Sequence, residues 1–238
     1  VSGVAIDVAT VEQLGSIPAG VDLRTTLHEG NGCPRLVQRI LRLGRGASFE
    51  GETDRGGELW YLKCGTGQLE HGAHVIALQP DMAVFLPEKT SYRLVNDGDA
   101  ELELTIVELP AGIAGTASVP WRLARLTECA VETTGDRRFS VLFGPATGFE
   151  AATQFVGEIP FGRAPAHKHT YDEVVHVMGG NGIVHLDGLE RPISAGSCIY
   201  IPPHTPHCLE NTGTEILRVL GVFHPGGSPA AKTAASDR

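Results

Sequence analysis

This chain contains one pattern twice, and that repetition limits its fold more than any other feature. Residues 58–110 align with 173–225 at a constant offset of 115 and without a gap. Identities fall at Glu58/Glu173, Gly65/Gly180, Gly67/Gly182, Pro87/Pro202, Thr90/Thr205, Leu94/Leu209, Asn96/Asn211, Gly98/Gly213, Leu102/Leu217, Val107/Val222 and Pro110/Pro225. Most are turn or core residues, which backbone geometry and packing demand whatever chemistry a fold supports. The two halves therefore read as two copies of one fold.

The copies are built of strands. Glycine (30) and proline (15) punctuate short runs rich in Val, Ile, Leu and Thr, such as Leu36–Leu43 and Ala83–Pro87, a rhythm that predicts a β-sandwich or barrel. Long helical periodicity is absent, and Val11-Glu12-Gln13-Leu14 is expected to give one short turn of helix. The small, uncharged stretch between Pro110 and Pro120 reads as a linker, so the domains are expected at 1–115 and 116–238. The tail from about Gly226, rich in Gly, Ser, Ala and Pro, is expected to be disordered.

Composition excludes several partners. A formal charge of −9 without basic clusters argues against nucleic acid. Five scattered cysteines with no CxxC pair make a poor disulfide framework and point to a reducing cytoplasm. Val1–Asp7 lacks the features of a signal peptide, and no stretch approaches a membrane span, so no membrane partner is expected.

The chemistry concentrates in Ala166-His167-Lys168-His169-Thr170-Tyr171-Asp172-Glu173 and Pro202-Pro203-His204-Thr205-Pro206-His207. His167 and His169, two apart, share one face of an extended strand at roughly 6–7 Å, so both imidazoles can address one ion. Glu173 lies roughly 13 Å further along extended chain. It joins them only if the chain turns back at Thr170-Tyr171-Asp172, so a turn is predicted there and a new strand from Glu173. Imidazole and carboxylate donors suit Fe, Mn, Ni, Cu or Zn and suit calcium poorly.

Gly162, His167, His169, Glu173 and Gly180, followed by Gly196, Pro202, His207 and Asn211, resemble the paired motifs of the cupin superfamily. The first motif is one residue short between Gly162 and His167, and Pro203-His204 replaces the usual x-Gly of the second; the ligand spacing is kept. The resemblance implies an all-β chain of two tandem double-stranded β-helix (jelly-roll) domains, a bicupin. It implies one divalent transition metal held by His167, His169, Glu173 and His207, and bicupin habits imply a homodimer; by their position, the first thirty-five residues are expected to form an arm that pairs with another strand. At the same offset the first half has Glu52, Asp54, Glu58 and Tyr92, with Arg55 nearby: a poor transition-metal set and a degenerate site.

Around the implied ligands, Glu173 is a candidate proton acceptor, Tyr171 a group that orients substrate or covers the site, and His204 a loop acid or base. His176 is expected on the opposite face of its strand, as an interface or outer-face residue, His185 as a structural histidine and Cys208 in packing. Arg163 and Lys168 are expected as solvated charges. Three-His/one-Glu cupins include quercetin dioxygenases, so the first expectation is a metal-dependent dioxygenase acting on a small phenolic, enolic or diketone substrate. Gentisate dioxygenases differ in centring their chemistry on the N-terminal half. Oxalate decarboxylases and ureidoglycine aminohydrolases exemplify the alternative, a non-redox Lewis-acid enzyme. A non-catalytic binding bicupin is a third.

Overall fold

The computed structural model describes residues 3–13, 18–54, 56–112, 120–230 and 233–234. Strands dominate, joined by tight turns and four single-turn 3-10 helices among the described residues. The turn expected at Val11–Leu14 falls instead at Val8–Thr10, with Leu14 outside the described residues. No helix among the described residues is long and apolar enough to cross a membrane.

The chain divides into two compact units, one of Val1–Thr10, Leu27–Arg35 and Cys129–Arg238, the other of Val11–Thr26 and Leu36–Glu128. The first ten residues thus belong with the second half of the sequence. In the first unit a seven-stranded sheet runs in the order Val4–Asp7, Ser197–Ile201, Asp172–Gly179, Leu217–His224, Thr153–Ile159, Arg137–Phe143, Glu132–Thr134. A second sheet runs Leu189–Ser194, Asn181–Leu186, His207–Asn211, His167–Lys168, Thr233–Ala234. The N-terminal arm is therefore an edge strand, with Val4 opposite Tyr200. Within the tail expected to be disordered, Thr233–Ala234 pairs with His167–Lys168; residues 231–232 and 235–238 lie outside the described residues.

Alternation explains why these two sheets face each other. Val175 and Val177 from one sheet and Val184, Leu186 and Ile193 from the other share one buried cluster with Ile199, Ile201, Leu217 and Val219. Period-2 side-chain placement sends every second residue of each strand into this layer, and the apolar area buried there supplies the main drive for closure. The other unit repeats the plan with a six-stranded sheet containing Glu58–Cys64 and Leu102–Glu108, and a four-stranded one containing Ser91–Val95.

The repeated residues do repeated work. The Asn96 side-chain amide donates to the carbonyls of Leu43 and Ala100, and its oxygen accepts from Gly98 N–H. Asn211 does the same with Ile159, Glu215 and Gly213. Both amides are buried, so they must be fully bonded to be tolerated. Gly65 and Gly180 sit at φ +79° and +78°, and a Cβ on either would strike the backbone at Glu101 or Ile216. Only glycine meets both demands.

In the second unit Glu103, 5% exposed, accepts from Arg42 Nε and Lys63 Nζ, each at 2.7 Å. Burial pushes this carboxyl up, but the hydrogen bonds and charges of Lys63 and Arg42 outweigh it and hold the group below its usual range. A depressed carboxylate stabilises the fold above its unfolded pKa and loses that contribution as pH falls through the folded value. Glu103→Gln is therefore expected to cost about 2–3 kcal/mol in urea unfolding near neutral pH. The gap from wild type should close as pH drops below roughly 4; a gap constant with pH would refute the ionic account.

Candidate metal centre

Strand alternation delivers the candidate ligands. In Asp172–Gly179 the residues Glu173, Val175 and Val177 share a face, and since the two valines lie in the buried cluster, Glu173 projects into the same interior. In His207–Asn211 the same rule places His207 with Leu209, which packs on that cluster. His167 is the register partner of His207. Beyond Lys168 the chain leaves the strand, bends at Thr170–Tyr171 and starts the next strand at Asp172, giving the reversal that Glu173 needs. The His204 N–H donates to the His169 carbonyl at 2.6 Å and ties the two ligand-bearing loops together.

The ligand atoms of His169, Glu173 and His207 all lie within 4.8 Å of one another. The three residues are 3%, 7% and 4% exposed, so the group is shielded from bulk water. His169 Nε2 lies 2.8 Å from Glu173 Oε2, so an imidazole nitrogen and a carboxylate oxygen meet where one ion could join them. His207 Nδ1 lies 2.9 Å from the Thr205 carbonyl. Donation there leaves Nε2 as the lone-pair side, the usual way a histidine ligand is oriented. His167 stands beside the trio, its ring centroid 4.3 Å from that of His207. Burial raises the Glu173 carboxyl, but His169 contact and the charges of His169, His207 and His167 win and hold it below the usual range. Nitrogen and oxygen donors in this number fit one divalent transition metal.

The remaining sequence candidates separate clearly. Tyr171 stacks between His169 (4.0 Å, 12°) and Phe223 (3.9 Å, 15°). Burial, then the Glu173 charge, raises its phenol well above the usual range, so it stays protonated and can donate. His204 is exposed, has φ +63°, and does not line the pocket described below; its backbone serves the site. His176, expected on an outer face, is fully buried. His185 is a structural residue, 2.7 Å from Glu210 and 3.2 Å from Glu190, and Cys208 is buried. Arg163 is exposed and Lys168 partly so. Sequence reading treated Asp172 as a turn residue only; it accepts from Tyr200 Oη at 2.6 Å and lies 3.4 Å from Arg35, fixing the strand start next to Glu173.

A pocket of about 750 Å³, including its open mouth, is lined by His167, Tyr171, Glu173 and His207. Its walls are largely apolar: Phe139, Phe155, Ile159, Val175, Ile201, Leu209 and Val219. Such a pocket favours a ligand with an apolar body and a polar head.

Residues 157–223, which carry every residue of this centre, match the family model described as Cupin domain. This segment resembles a cupin domain. The sequence relatives each match about a quarter of this chain. An uncharacterised protein of Methanocaldococcus jannaschii is 40% identical over 60 residues, 25% of this chain and 48% of that protein. Auxin-binding protein 1 of Arabidopsis thaliana is 37% identical over 73 residues (27% and 37%). The oxalate-binding protein of Thermotoga maritima is 34% identical over 58 residues (24% and 48%). The chain thus spans about half or less of the length of these curated relatives. Solved structures extend the likeness to both halves. Oxalate decarboxylase OxdC of Bacillus subtilis superposes with TM-score 0.78 over 98% of this chain and 80% of that one, at 15% identity. Protein Ylba from E. coli gives TM-score 0.76 over 93% and 90%, at 13% identity. At such identities the likeness concerns the fold, two tandem jelly rolls.

The other unit fills the corresponding positions with bulky buried side chains. At the 115-residue offset Trp60 replaces Val175 and Tyr92 replaces His207, and both are in the buried cluster. Their rings meet edge to face at 4.7 Å. Glu58, the counterpart of Glu173, accepts from Trp60 Nε1 at 2.7 Å and lies 3.7 Å from Arg39, which also bonds Glu108 at 2.8 Å. Burial raises the Glu58 carboxyl despite these partners. Glu52 and Asp54 are exposed, and Glu52 accepts from Ser91. Arg55 lies outside the described residues. Among the described residues the one cluster able to hold a metal is His169, Glu173 and His207.

Proposed function

We propose that this chain is a metal-dependent enzyme whose C-terminal cupin acts on a small molecule at one divalent transition metal, with dioxygenation of a phenolic, enolic or diketone substrate as the leading reaction. The observation that carries the reading is the convergence of His169, Glu173 and His207 next to an apolar pocket that His167, Glu173 and His207 line. A metal bound there supplies Lewis acidity and, where it is redox-active, a means of engaging dioxygen. The protein's own part is positional. Phe139, Phe155, Leu209 and Val219 embrace an apolar ring and exclude water. Tyr171, kept protonated, donates a hydrogen bond to a substrate oxygen, and Glu173 takes up the enolic or phenolic proton on a carboxylate oxygen.

Two further readings have specific support. The structural likeness to oxalate decarboxylase, whose Mn(II) centres are named in one matching structure, supports a decarboxylase as the second. Sequence relatives named for binding auxin and oxalate favour a binding role as the third. A reducing, cytoplasmic setting is part of the proposal, supported by Cys33, Cys64, Cys129, Cys198 and Cys208 all being free thiols. So is a homodimer, which rests on the bicupin resemblance alone.

Oxygen-electrode assays on the metal-loaded protein, across phenols, enols and β-diketones, test the leading reading. Uptake that needs both metal and substrate is the expected result. Substrate turnover without oxygen uptake would replace it with the second reading, and tight binding without turnover with the binding one.

A further inference from the structure

Arg137 opens its strand directly after the Gly135-Asp136 turn, opposite Thr134, and lines the pocket together with Phe139, two residues on. Its guanidinium is half-buried. Nη2 donates to the Leu209 carbonyl at 2.7 Å, and Arg137 makes no ion pair among the described residues. Its neighbour Arg138 differs, being paired with Glu158 at 2.8 Å.

The charges of the pocket therefore do not balance. Arg138 and Glu158 cancel, and Glu173 offsets only half of a divalent ion. That leaves the metal end positive and the Arg137 end positive as well. Burial pulls the Arg137 guanidinium below its ordinary pKa, with the Asp136 charge as a partial offset, which is the condition of a cation lacking a contact counter-ion. A guanidinium has five donors, and one carbonyl uses few of them. The free edge of the fork matches a carboxylate in charge and geometry. The apolar walls shared by Arg137 and the metal ligands fit the rest of such a molecule.

We infer that Arg137 is a substrate-anchoring residue and that the ligand of this pocket is a carboxylate with an apolar body. The inference rests on the reading of the pocket as the substrate site. It narrows the substrate class and makes a simple neutral phenol a poor ligand. No motif marks Arg137, because its place in the pocket depends on a strand packed far from the metal ligands in sequence.

Matched acids and amides test it: salicylate against salicylamide and hexanoate against hexanamide, titrated calorimetrically into metal-loaded wild type, Arg137→Gln and Arg137→Lys. Wild type is expected to favour the acid of at least one pair by roughly 10- to 100-fold. Arg137→Gln should bring that ratio close to one without changing amide affinity or metal content. Arg137→Lys, which keeps the charge, should retain part of the preference and guards against a folding defect in the glutamine variant. Equal binding of acid and amide by wild type, no binding of either acid, or a ratio unchanged in both variants would overturn the inference; the last would assign the carboxylate to the metal. Loss of the metal itself would be a separate failure, of the proposed centre, and is read by elemental analysis of the same samples.

Discussion

Purified His169→Ala is expected to contain less than about a tenth of a metal ion per chain, where wild type holds about one. The imidazole removed is the best buried of the three and the one whose Nε2 stands 2.8 Å from Glu173 Oε2. Without it Glu173 and His207 remain, with His167 beside them, and Glu173 has lost its nearest imidazole contact. The expected loss of affinity exceeds the roughly 10- to 100-fold typical of removing a group that merely orients a ligand. His167→Ala should do less, weakening binding while leaving detectable metal, because His167 stands beside the trio. His204→Ala should leave metal content unchanged, since its side chain is exposed. Thermal stability gives an independent readout: saturating metal at about 100 times its Kd should add about 2.7 kcal/mol to wild type and nothing to His169→Ala. Equal metal content in wild type and His169→Ala would remove the centre from this site.

Trp60→Ala is expected to be the most damaging substitution in the N-terminal cupin fold. The side chain is 1% exposed, packs on Tyr92 and donates to Glu58. Truncating a buried tryptophan costs about 3–5 kcal/mol through lost burial and an unfilled cavity. That corresponds to a fall of roughly 6–20 °C in the thermal transition for a chain of this size. Glu58 would keep only the more distant Arg39. Trp60→Phe separates the two effects, since it preserves most of the packing and loses the hydrogen bond, at about 1–3 kcal/mol. Both variants should bind metal normally, because the ligands lie in the other unit. Loss of metal in Trp60→Phe would contradict the division of labour between the halves.

The contrast between these two experiments follows from single positions in one repeat. Val175 leaves space beside Glu173, whereas Trp60 fills it and caps Glu58. The same position thus lines a pocket in the second half and belongs to a packed aromatic pair in the first. The difference in side chains is visible in the aligned sequences, but its outcome is not. Glu58 and Trp60 share one face of a single strand, two residues apart, so their contact is local; what the alignment does not show is the packing of Tyr92 against Trp60.

What the sequence determined is what local periodicity and spacing can encode. Alternation in Asp172–Gly179 and His207–Asn211 fixes Glu173 and His207 on the core face. The interval between His169 and Glu173 demands the bend at Thr170–Tyr171. The repeated Asn and Gly residues fix the same turns twice. Tertiary structure alone decided which distant strands meet. It placed Val4–Asp7 on Ser197–Ile201, drew the trio of His169, Glu173 and His207 tighter than the four implied ligands, turned His204 outward and set Arg137 at the pocket. These outcomes depend on pairings between residues tens to hundreds of positions apart. Such pairings are selected by the joint burial of two sheets, and no window of sequence contains that sum.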